Sequence, residues 1–584
     1  MRISFSGLSK SYEGKTIFDN LNGQINNGDK IGLIGSNGVG KTTLVKLLTG
    51  NEEKDSGDIM FSGDIKILYI QQYPEFDEEC SVLEDILNFI CSWNKDKWKD
   101  EKTEGQEALA KKALSKVGLS EELWNQKASS LSGGEKTKLA LSRMLVCDFD
   151  FLILDEPTNH LDMVGHEWLE EFIKNLDKPM LVISHDRYFL DNTANKIWEL
   201  TKKELKVYEG NYSSYKLQKE IEEKNILKEY EKQQTRIQEL KAMISDRENW
   251  YHRAHKAAGQ NDYLRARAKK QANTLNAKKT QLERLERDRI EKPQKEVSPA
   301  FDVINKNIIG RKFPRFLIQG KDISKSYGEN QVLSSISFNV ERGDRIAVIG
   351  ANGSGKSTLL KTICGIFDDY TGSLNISPTV KIGYFSQELE NLNQNAAILD
   401  DVMVEGVTYQ EARLLLASLL FRGDDVYKKI GHLSMGEKGR VAFAKLILSG
   451  ANLLVLDEPT NYMDIKSKEK IEEALEQFQG SMIFVSHDRY FINRLASRIF
   501  LIENKKLHIF DGNYEYYLAK CRKKADDEKD NHEKSAAESI MKLELELAYL
   551  GGKLDVAKDE SEKEELNKRY LEVARKLNQL KQQS

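Results

Sequence analysis

The chain has 584 residues, of which 31% are charged and 40% hydrophobic, and a formal net charge of −4. That length holds several domains with their own cores, and no run of about 18 or more apolar residues offers a bilayer span. The start, Met1-Arg-Ile-Ser-Phe-Ser6, enters a strand pattern without a signal-peptide core, and the five cysteines (Cys80, Cys91, Cys147, Cys364, Cys521) are scattered without C-x-x-C pairs, reading as cytosolic thiols rather than disulfides or zinc ligands.

In chain order, the first strong signal is a short apolar strand from Lys30 that runs into Gly35-Ser36-Asn37-Gly38-Val39-Gly40-Lys41-Thr42-Thr43. The same pattern returns from Arg345 into Gly350-Ala351-Asn352-Gly353-Ser354-Gly355-Lys356-Ser357-Thr358. Both are P-loops between a strand and a helix. Their glycines let backbone N–H groups wrap phosphates, Lys41 and Lys356 reach the terminal phosphates, and the Thr42 and Ser357 hydroxyls hold Mg²⁺. Each copy then supplies an acidic strand end, Phe151-Leu-Ile-Leu-Asp155-Glu156 and Leu453-Leu-Val-Leu-Asp457-Glu458. One carboxylate stands by the metal and the second, Glu156 or Glu458, polarises a water for attack on the γ-phosphate. A histidine follows a further apolar strand in each copy, His185 and His487, a position that alone is more often structural than functional.

The two copies are not equal in length. Tyr12 to Tyr327, Lys41 to Lys356 and Gln72 to Gln387 are each 315 apart, whereas Ser132 to Ser434, Asp155 to Asp457 and His185 to His487 are 302 apart. Copy one therefore holds 13 extra residues between Gln72 and Ser132, in an interval that includes the charged, two-tryptophan stretch Cys91 to Thr103. It reads as a short helical arm at about 88–110, or as ordinary loop variation between duplicates.

Between the copies lies a polar segment, 216–300, with seven-residue apolar spacing at Tyr230, Ile237, Ile244 and Tyr251 and again at Ala268, Leu275 and Leu282. This predicts two helices folded into an antiparallel hairpin, the first running from about Lys216 to His252, with Gly259 and Asn261 as turn residues. From Arg247 to Lys279 nine basic residues face only Glu248 and Asp262, a local charge of +7 against about −11 for the remainder. A tip at about 247–265 with Arg247, Trp250, Tyr251, Arg253, His255 and Lys256, followed by Arg265, Arg267, Lys269 and Lys270, suits RNA, because cations neutralise phosphates and aromatic rings stack on bases. A solvated helix face is the plain alternative, and the sign asymmetry favours a polyanion. Residues 521–584 read as a smaller helical hairpin turning at Gly551-Gly552, with lysine and glutamate in near balance.

Leu131-Ser132-Gly133-Gly134-Glu135 completes a set that resembles the nucleotide-binding domains of ATP-binding cassette proteins, and the tandem cassettes with a basic hairpin between them resemble the ABC-F translational ATPases, most of all the antibiotic-resistance members of Gram-positive bacteria. The resemblance implies an α/β fold of two tandem ABC-type P-loop ATPase domains, 1–215 and 301–520, joined by the hairpin and followed by a C-terminal helical extension. It implies that Tyr12 and Tyr327 stack on adenine and that Gln72 and Gln387 join Thr42, Asp155, Ser357 and Asp457 around Mg²⁺. It makes His185 and His487 switch residues. The cassettes would sandwich two ATP molecules within one monomer, Lys41 facing Ser434 and Lys356 facing Ser132, with both glutamates competent for hydrolysis. The second signature, Leu433-Ser434-Met435-Gly436-Glu437, departs from the pattern by Met435, and the second D-loop reads Tyr462-Met463-Asp464. A side chain at Met435, where the resemblance puts a backbone approach to phosphate, is expected to crowd that site and make the Lys41 site turn over differently.

The partners implied are the 70S ribosome, entered at the E site, with 23S rRNA near the peptidyl transferase centre and P-site tRNA within reach of the hairpin. The implied role is cytoplasmic protection against lincosamide, streptogramin A or pleuromutilin antibiotics. Three readings compete with it: a housekeeping factor for stalled ribosomes, a transporter ATPase subunit and a chromosome ATPase. The basic hairpin speaks against the second, and heads completed before the linker begins speak against the third.

Overall fold

The structure is a computed structural model, and it describes residues 2–74, 76–77, 79–93, 104–257, 276–289, 301–306, 308–310, 313–386, 392–523, 541–550, 553 and 560–583. Each half is built on a six-stranded sheet. In the first half the order is Ile67–Ile70, Phe151–Asp155, Met180–Ile183, Lys30–Ile34, Lys196–Leu200 and Leu205–Glu209, parallel except for the last strand. In the second half the equivalent order is Ile382–Phe385, Leu453–Asp457, Ser481–Val485, Arg345–Ile349, Arg498–Glu503 and Lys506–Phe510, again with an antiparallel last strand. The central strands Phe151–Asp155 and Leu453–Asp457 are buried at every position, as expected of apolar runs covered on both faces. A three-stranded antiparallel sheet flanks each, formed by Arg2–Tyr12, Lys15–Asn26 and Ser56–Phe61 and by Phe316–Tyr327, Asn330–Glu341 and Thr371–Ile376.

The chain is thus two copies of one α/β cassette. Strand order places Lys30–Ile34 between Met180–Ile183 and Lys196–Leu200, so the P-loop leaves the sheet beside the strand that leads to His185 and one strand away from the one that leads to Glu156. This is the crevice at strand carboxyl ends where open α/β sheets bind ligands.

The extra residues of the first copy lengthen a helical pair. Helices Val82–Trp93 and Glu104–Lys116 have 12 and 13 residues, against 5 and 10 for their counterparts Ile398–Val402 and Tyr409–Ser418. Ile86, Leu87, Ile90, Ala110, Ala113 and Leu114 of the longer pair are buried in one cluster with Leu139 of the signature helix. Residues 94–103, the middle of the expected arm, lie outside the described residues.

The linker begins as one helix, Tyr212–Ala257, of 46 residues, about 69 Å at 1.5 Å per residue. The sequence reading ended it near His252. Arg253 to Ala257 contains no glycine or proline, so nothing in that pentapeptide opposes helix, and the helix continues past His252 to at least Ala257. Residues 276–287 form a helix that returns against it: Lys279 pairs with Glu248 at 2.6 Å, Lys241 with Glu286 at 2.7 Å, and Gln233 donates to the Asp288 carbonyl at 2.9 Å. Ile237, Leu240 and Ile244 are buried in the seam. The turn at Gly259 and Asn261 and the basic Arg265, Arg267, Lys269 and Lys270 lie outside the described residues, as do the side chains of Trp250, Tyr251, His255 and Lys256.

The helix root is fixed to both cassettes. Glu199, buried, accepts from Tyr215 Oη at 3.2 Å and Lys219 Nζ at 2.6 Å, while Lys216 pairs with Glu469 of the second cassette at 3.2 Å. In the C-terminal extension, helix 541–550 and helix Glu560–Gln583 are joined by Arg569 and Glu546 at 3.5 Å. Gly551 and Gly552 lie outside the described residues.

Candidate active sites at the cassette interface

Each P-loop wraps the start of a helix. Gly40 and Gly355 cap helices Lys41–Leu48 and Lys356–Ile363 with φ of 102° and 101°, a left-handed geometry that glycine adopts without strain. Lys41 and Lys356 are buried, and their ammonium groups donate to the loop's own carbonyls: Lys41 to Gly35 at 2.7 Å and Lys356 to Gly350 and Ala351 at 2.9 Å each. Burial pushes both lysine pKa values down. A phosphate entering the loop would offer each ammonium a direct anionic partner in place of the loop's neutral carbonyls.

The hydroxyl and acidic residues meet as the spacing implied. Thr42 donates to Asp155 at 3.0 Å and Ser357 to Asp457 at 3.2 Å, and Tyr69 also reaches Asp155 at 3.3 Å. Burial raises both aspartate pKa values. A buried carboxylate held by hydroxyls is a hard oxygen donor set of the kind divalent cations take. Gln72 lines the same cavity as Thr42 and Asp155. Gln387 lies outside the described residues.

Glu156 and Glu458 sit one residue beyond, at φ 49° in each copy. Non-glycine residues held in this region cluster at functional sites. Burial pushes both carboxyls up to about 7. One oxygen of each, Oε1, has no hydrogen-bond partner among the described residues. His185 Nε2 lies 3.5 Å from Glu156 Oε1, 3.1 Å from Asn37 Oδ1 and 3.3 Å from Lys41 Nζ. His487 Nε2 lies 3.5 Å from Glu458 Oε1. Burial and the adjacent lysine hold both imidazoles neutral, His185 well below its usual value and His487 at about 3.

Both sites are composite. A cavity of about 400 Å³ is lined by Asn37, Gly38, Gly40, Lys41, Thr42, Thr43, Asp155, Glu156 and His185 from the first cassette and by Ser434, Met435 and Gly436 from the second. A cavity of about 860 Å³ joins Tyr327, Asn352, Gly353, Gly355, Lys356, Ser357, Thr358, Asp457, Glu458 and His487 to Ser132, Gly133, Gly134 and Glu135 of the first cassette. Cross-cassette hydrogen bonds close both: Asn37 Nδ2 donates to the Tyr462 carbonyl at 3.2 Å and Asn352 Nδ2 to the His160 carbonyl at 2.9 Å. Tyr12 does not line the smaller cavity; its hydroxyl donates to Glu52.

The signature residues show a division of labour. Ser132 and Ser434 are N-caps, each in a capping box with Glu135 or Glu437, whose carboxylates accept from the serine N–H at 2.8 and 2.9 Å. The two glutamates therefore serve the helix start. A Cβ at Gly133 would meet only the His160 ring at 3.5 Å, whereas one at Gly134 would stand 2.6 Å from the His160 carbonyl, and at Gly436 2.8 Å from the Tyr462 carbonyl. These close approaches are to backbone of the same cassette. The close backbone approach belongs to the next residue, which is glycine in both copies, and Met435 starts its helix with its side chain exposed at the cavity.

Some site residues escaped the sequence reading. Lys468 donates to the His185 carbonyl at 3.2 Å and lines both cavities; its signal is that it lies one turn after the helix cap Asp464. Asn159 and Asn461 follow the two acidic strand ends and line both cavities too.

The fold and paired composite sites define a tandem ATP-binding cassette ATPase. A family model described as ABC transporter matches residues 18–159 and 333–461, and a second of the same description matches 198–303. The chain is 31% identical over 593 residues to the ribosome protection protein VmlR of Bacillus subtilis (strain 168), covering 100% of this chain and 98% of that one. It is 32% identical over 561 residues to ABC transporter F family member 5 of Arabidopsis thaliana, covering 89% and 77%. Its fold is similar to that of archaeal ribosome recycling factor aABCE1 in complex with ribosomal stalk protein aP1 (TM-score 0.59, 19% identity, 88% and 92% covered) and of RNase-L Inhibitor (0.58, 18%, 87% and 90%). The chain belongs to the ABC-F family of ATPases. Among the described residues no helix is long and apolar enough to cross a membrane.

Proposed function

We propose that this ATPase acts on the ribosome, closing on two ATP molecules, entering the E site and extending its hairpin toward P-site tRNA and the peptidyl transferase centre of 23S rRNA. There it protects translation from antibiotics of the lincosamide, streptogramin A or pleuromutilin type. The observation that carries this reading is the full-length match to a ribosome protection protein, which spans the hairpin as well as the cassettes. The charge of the tip supports it, since a +7 segment on a −4 chain is a footprint for a polyanion. The place of action is the cytoplasm, and the acting form is a monomer whose cassettes, 1–215 and 301–520, pair within one chain.

In the chemical step, Lys41 and Lys356 bind the β- and γ-phosphates, and Glu156 and Glu458 hold the attacking water through the oxygen left without a partner. Neutral His185 and His487 donate to the transferring phosphoryl group. Thr42, Gln72 and Asp155 at one site and Ser357, Gln387 and Asp457 at the other would hold Mg²⁺, which when bound neutralises phosphate charge. Signature residues Ser132 and Ser434 reach the γ-phosphate from the opposite cassette, so hydrolysis and separation of the cassettes are linked.

The test is a Glu156→Gln, Glu458→Gln double variant incubated with ATP and 70S ribosomes. It is expected to bind ATP, to turn over less than about a hundredth as fast, and to remain on ribosomes in the E site through sucrose sedimentation. Retention without drug protection in cells that carry the wild-type protein would favour a housekeeping role, and failure to sediment with ribosomes would overturn the reading.

A further inference from the structure

Both cassettes place a buried lysine two residues before the tyrosine assigned to adenine. Residues two apart on a strand share a face, so Lys10 lies beside Tyr12 on strand Arg2–Tyr12, and Lys325 beside Tyr327 on Phe316–Tyr327. Lys10 Nζ stands 5.1 Å from the Tyr12 ring centroid and Lys325 Nζ 4.9 Å from that of Tyr327. The lysines are 9% and 2% exposed, the tyrosines 42% and 47%. Each ring thus has an ammonium on its protein side and an open side toward solvent, and Tyr327 lines the larger cavity.

The surroundings hold each ammonium in place by different means. Lys10 donates to the Glu53 carbonyl at 2.7 Å and pairs with Glu52 at 3.2 Å and Asp55 at 3.6 Å. Glu52 also accepts from the Tyr12 hydroxyl, so one carboxylate fixes both cation and ring. In the second copy the residue 315 positions on is Phe367, whose ring meets Tyr327 edge-on at 6.0 Å and 83°. There Lys325 donates to the Asp369 carbonyl at 3.1 Å and pairs with its carboxylate. Two different solutions that keep one lysine–tyrosine geometry argue that the geometry itself is used.

We infer that Lys10 and Lys325 are positioning residues for the purine: each ammonium holds its tyrosine ring by a cation–π contact and draws π-density toward the protein side, leaving the open face better suited to stack on an electron-rich base. This rests on the reading of Tyr12 and Tyr327 as adenine platforms. Neither lysine lines the cavity of its P-loop, so their contribution belongs to the base-dependent part of binding alone.

The experiment measures ATP affinity and the inhibition constant of tripolyphosphate, which has the phosphates and no base, on the full-length protein. In Lys10→Met, Lys325→Met the KM for ATP is expected to rise about tenfold at unchanged kcat, with tripolyphosphate inhibition unchanged. Lys10→Arg, Lys325→Arg, which keeps the cation, is expected to restore most of the loss. Lys10→Met alone, at the less buried site, serves if the double change does not fold, and is expected to weaken one of two ATP-binding events. Equal loss of ATP and tripolyphosphate binding would make the lysines merely structural and overturn the proposal. So would a Tyr12→Ala, Tyr327→Ala variant that loses ATP selectively while the lysine variants do not. Unchanged ATP selectivity in that tyrosine variant would overturn the adenine platform itself.

Discussion

Arg187 of the first cassette is clasped by Glu472 of the second, both side chains buried, and 302 residues on the relation is reversed, with Arg489 of the second cassette held by Glu170 of the first at 3.2 Å. Each arginine also lies over a tyrosine of the other cassette, Arg187 over Tyr490 and Arg489 over Tyr188. The two pairs follow directly after the His-Asp dipeptides at 185 and 487, so closure and catalytic geometry share a backbone segment. Removing one partner of a buried pair strands the other charge, at a cost of about 3–5 kcal/mol. Arg187→Met is therefore expected to leave ATP binding to the open form intact and to lower ATP turnover at least tenfold. Fluorescence transfer between dyes on the two cassettes checks this, and undiminished ATP-driven closure would sink it.

The raised glutamates predict a pH profile. Glu156 and Glu458 sit near 7 because burial disfavours the carboxylate, and only the carboxylate accepts a proton from water. The kcat/KM for ATP should fall as pH drops below about 7, whereas a limb below pH 5 would place unperturbed carboxyls in the role. Stability moves the other way. A carboxyl raised on folding favours the folded state fully below about 4.5, and that advantage is lost as pH rises through about 7. Glu156→Gln should thus melt higher than wild type at pH 8 and lose that margin toward pH 5, by an amount on the order of 3 kcal/mol.

The signature helices predict an asymmetry that can be exchanged. Gly134→Ala forces a methyl to 2.6 Å from the His160 carbonyl and should reduce ATPase activity far more than Gly133→Met, which installs in the first copy what the second already carries. Steady-state turnover of the two variants decides it, and the reverse ranking would refute the packing argument. Because Met435 stands in one cavity only, Glu156→Gln and Glu458→Gln taken singly should differ in residual rate.

For the hairpin, replacing Arg265, Arg267, Lys269 and Lys270 by Gln should weaken ribosome binding and lower the slope of log affinity against log salt by about 3, at roughly 0.7–0.9 per phosphate contact. Substitutions at His255 to Asn261 are expected instead to alter drug protection while binding and ATPase activity persist. Binding with an unchanged salt slope in the fourfold variant would remove these residues from the RNA contact.

The duplicated cassette was legible because its chemistry is local in sequence: a strand, a glycine loop and a lysine fit within a dozen residues, and two copies exclude coincidence. The composite sites were legible only through family resemblance, since nothing in the spacing of Lys41 and Ser434 says they share a cavity. Arg187, Glu472 and Lys468 were missed for the same reason. A buried pair from residues 285 apart carries no periodicity, and charged side chains on an amphipathic helix read as solvated until a second surface covers them. The first hairpin arm runs on past His252 because a break in apolar period is not a break in backbone, and Arg253 to Ala257 holds no residue that stops a helix.

The 46-residue helix that leaves the first cassette is braced at its root by Glu199 on one side and Glu469 on the other. Mechanically that makes it a long pointer mounted on a short hinge. Swinging its root by about 5° sweeps the far end through about 6 Å, given its length of about 69 Å. A change in the cassettes no larger than the making or loss of a few hydrogen bonds is thereby amplified to the width of a nucleotide base at the other end.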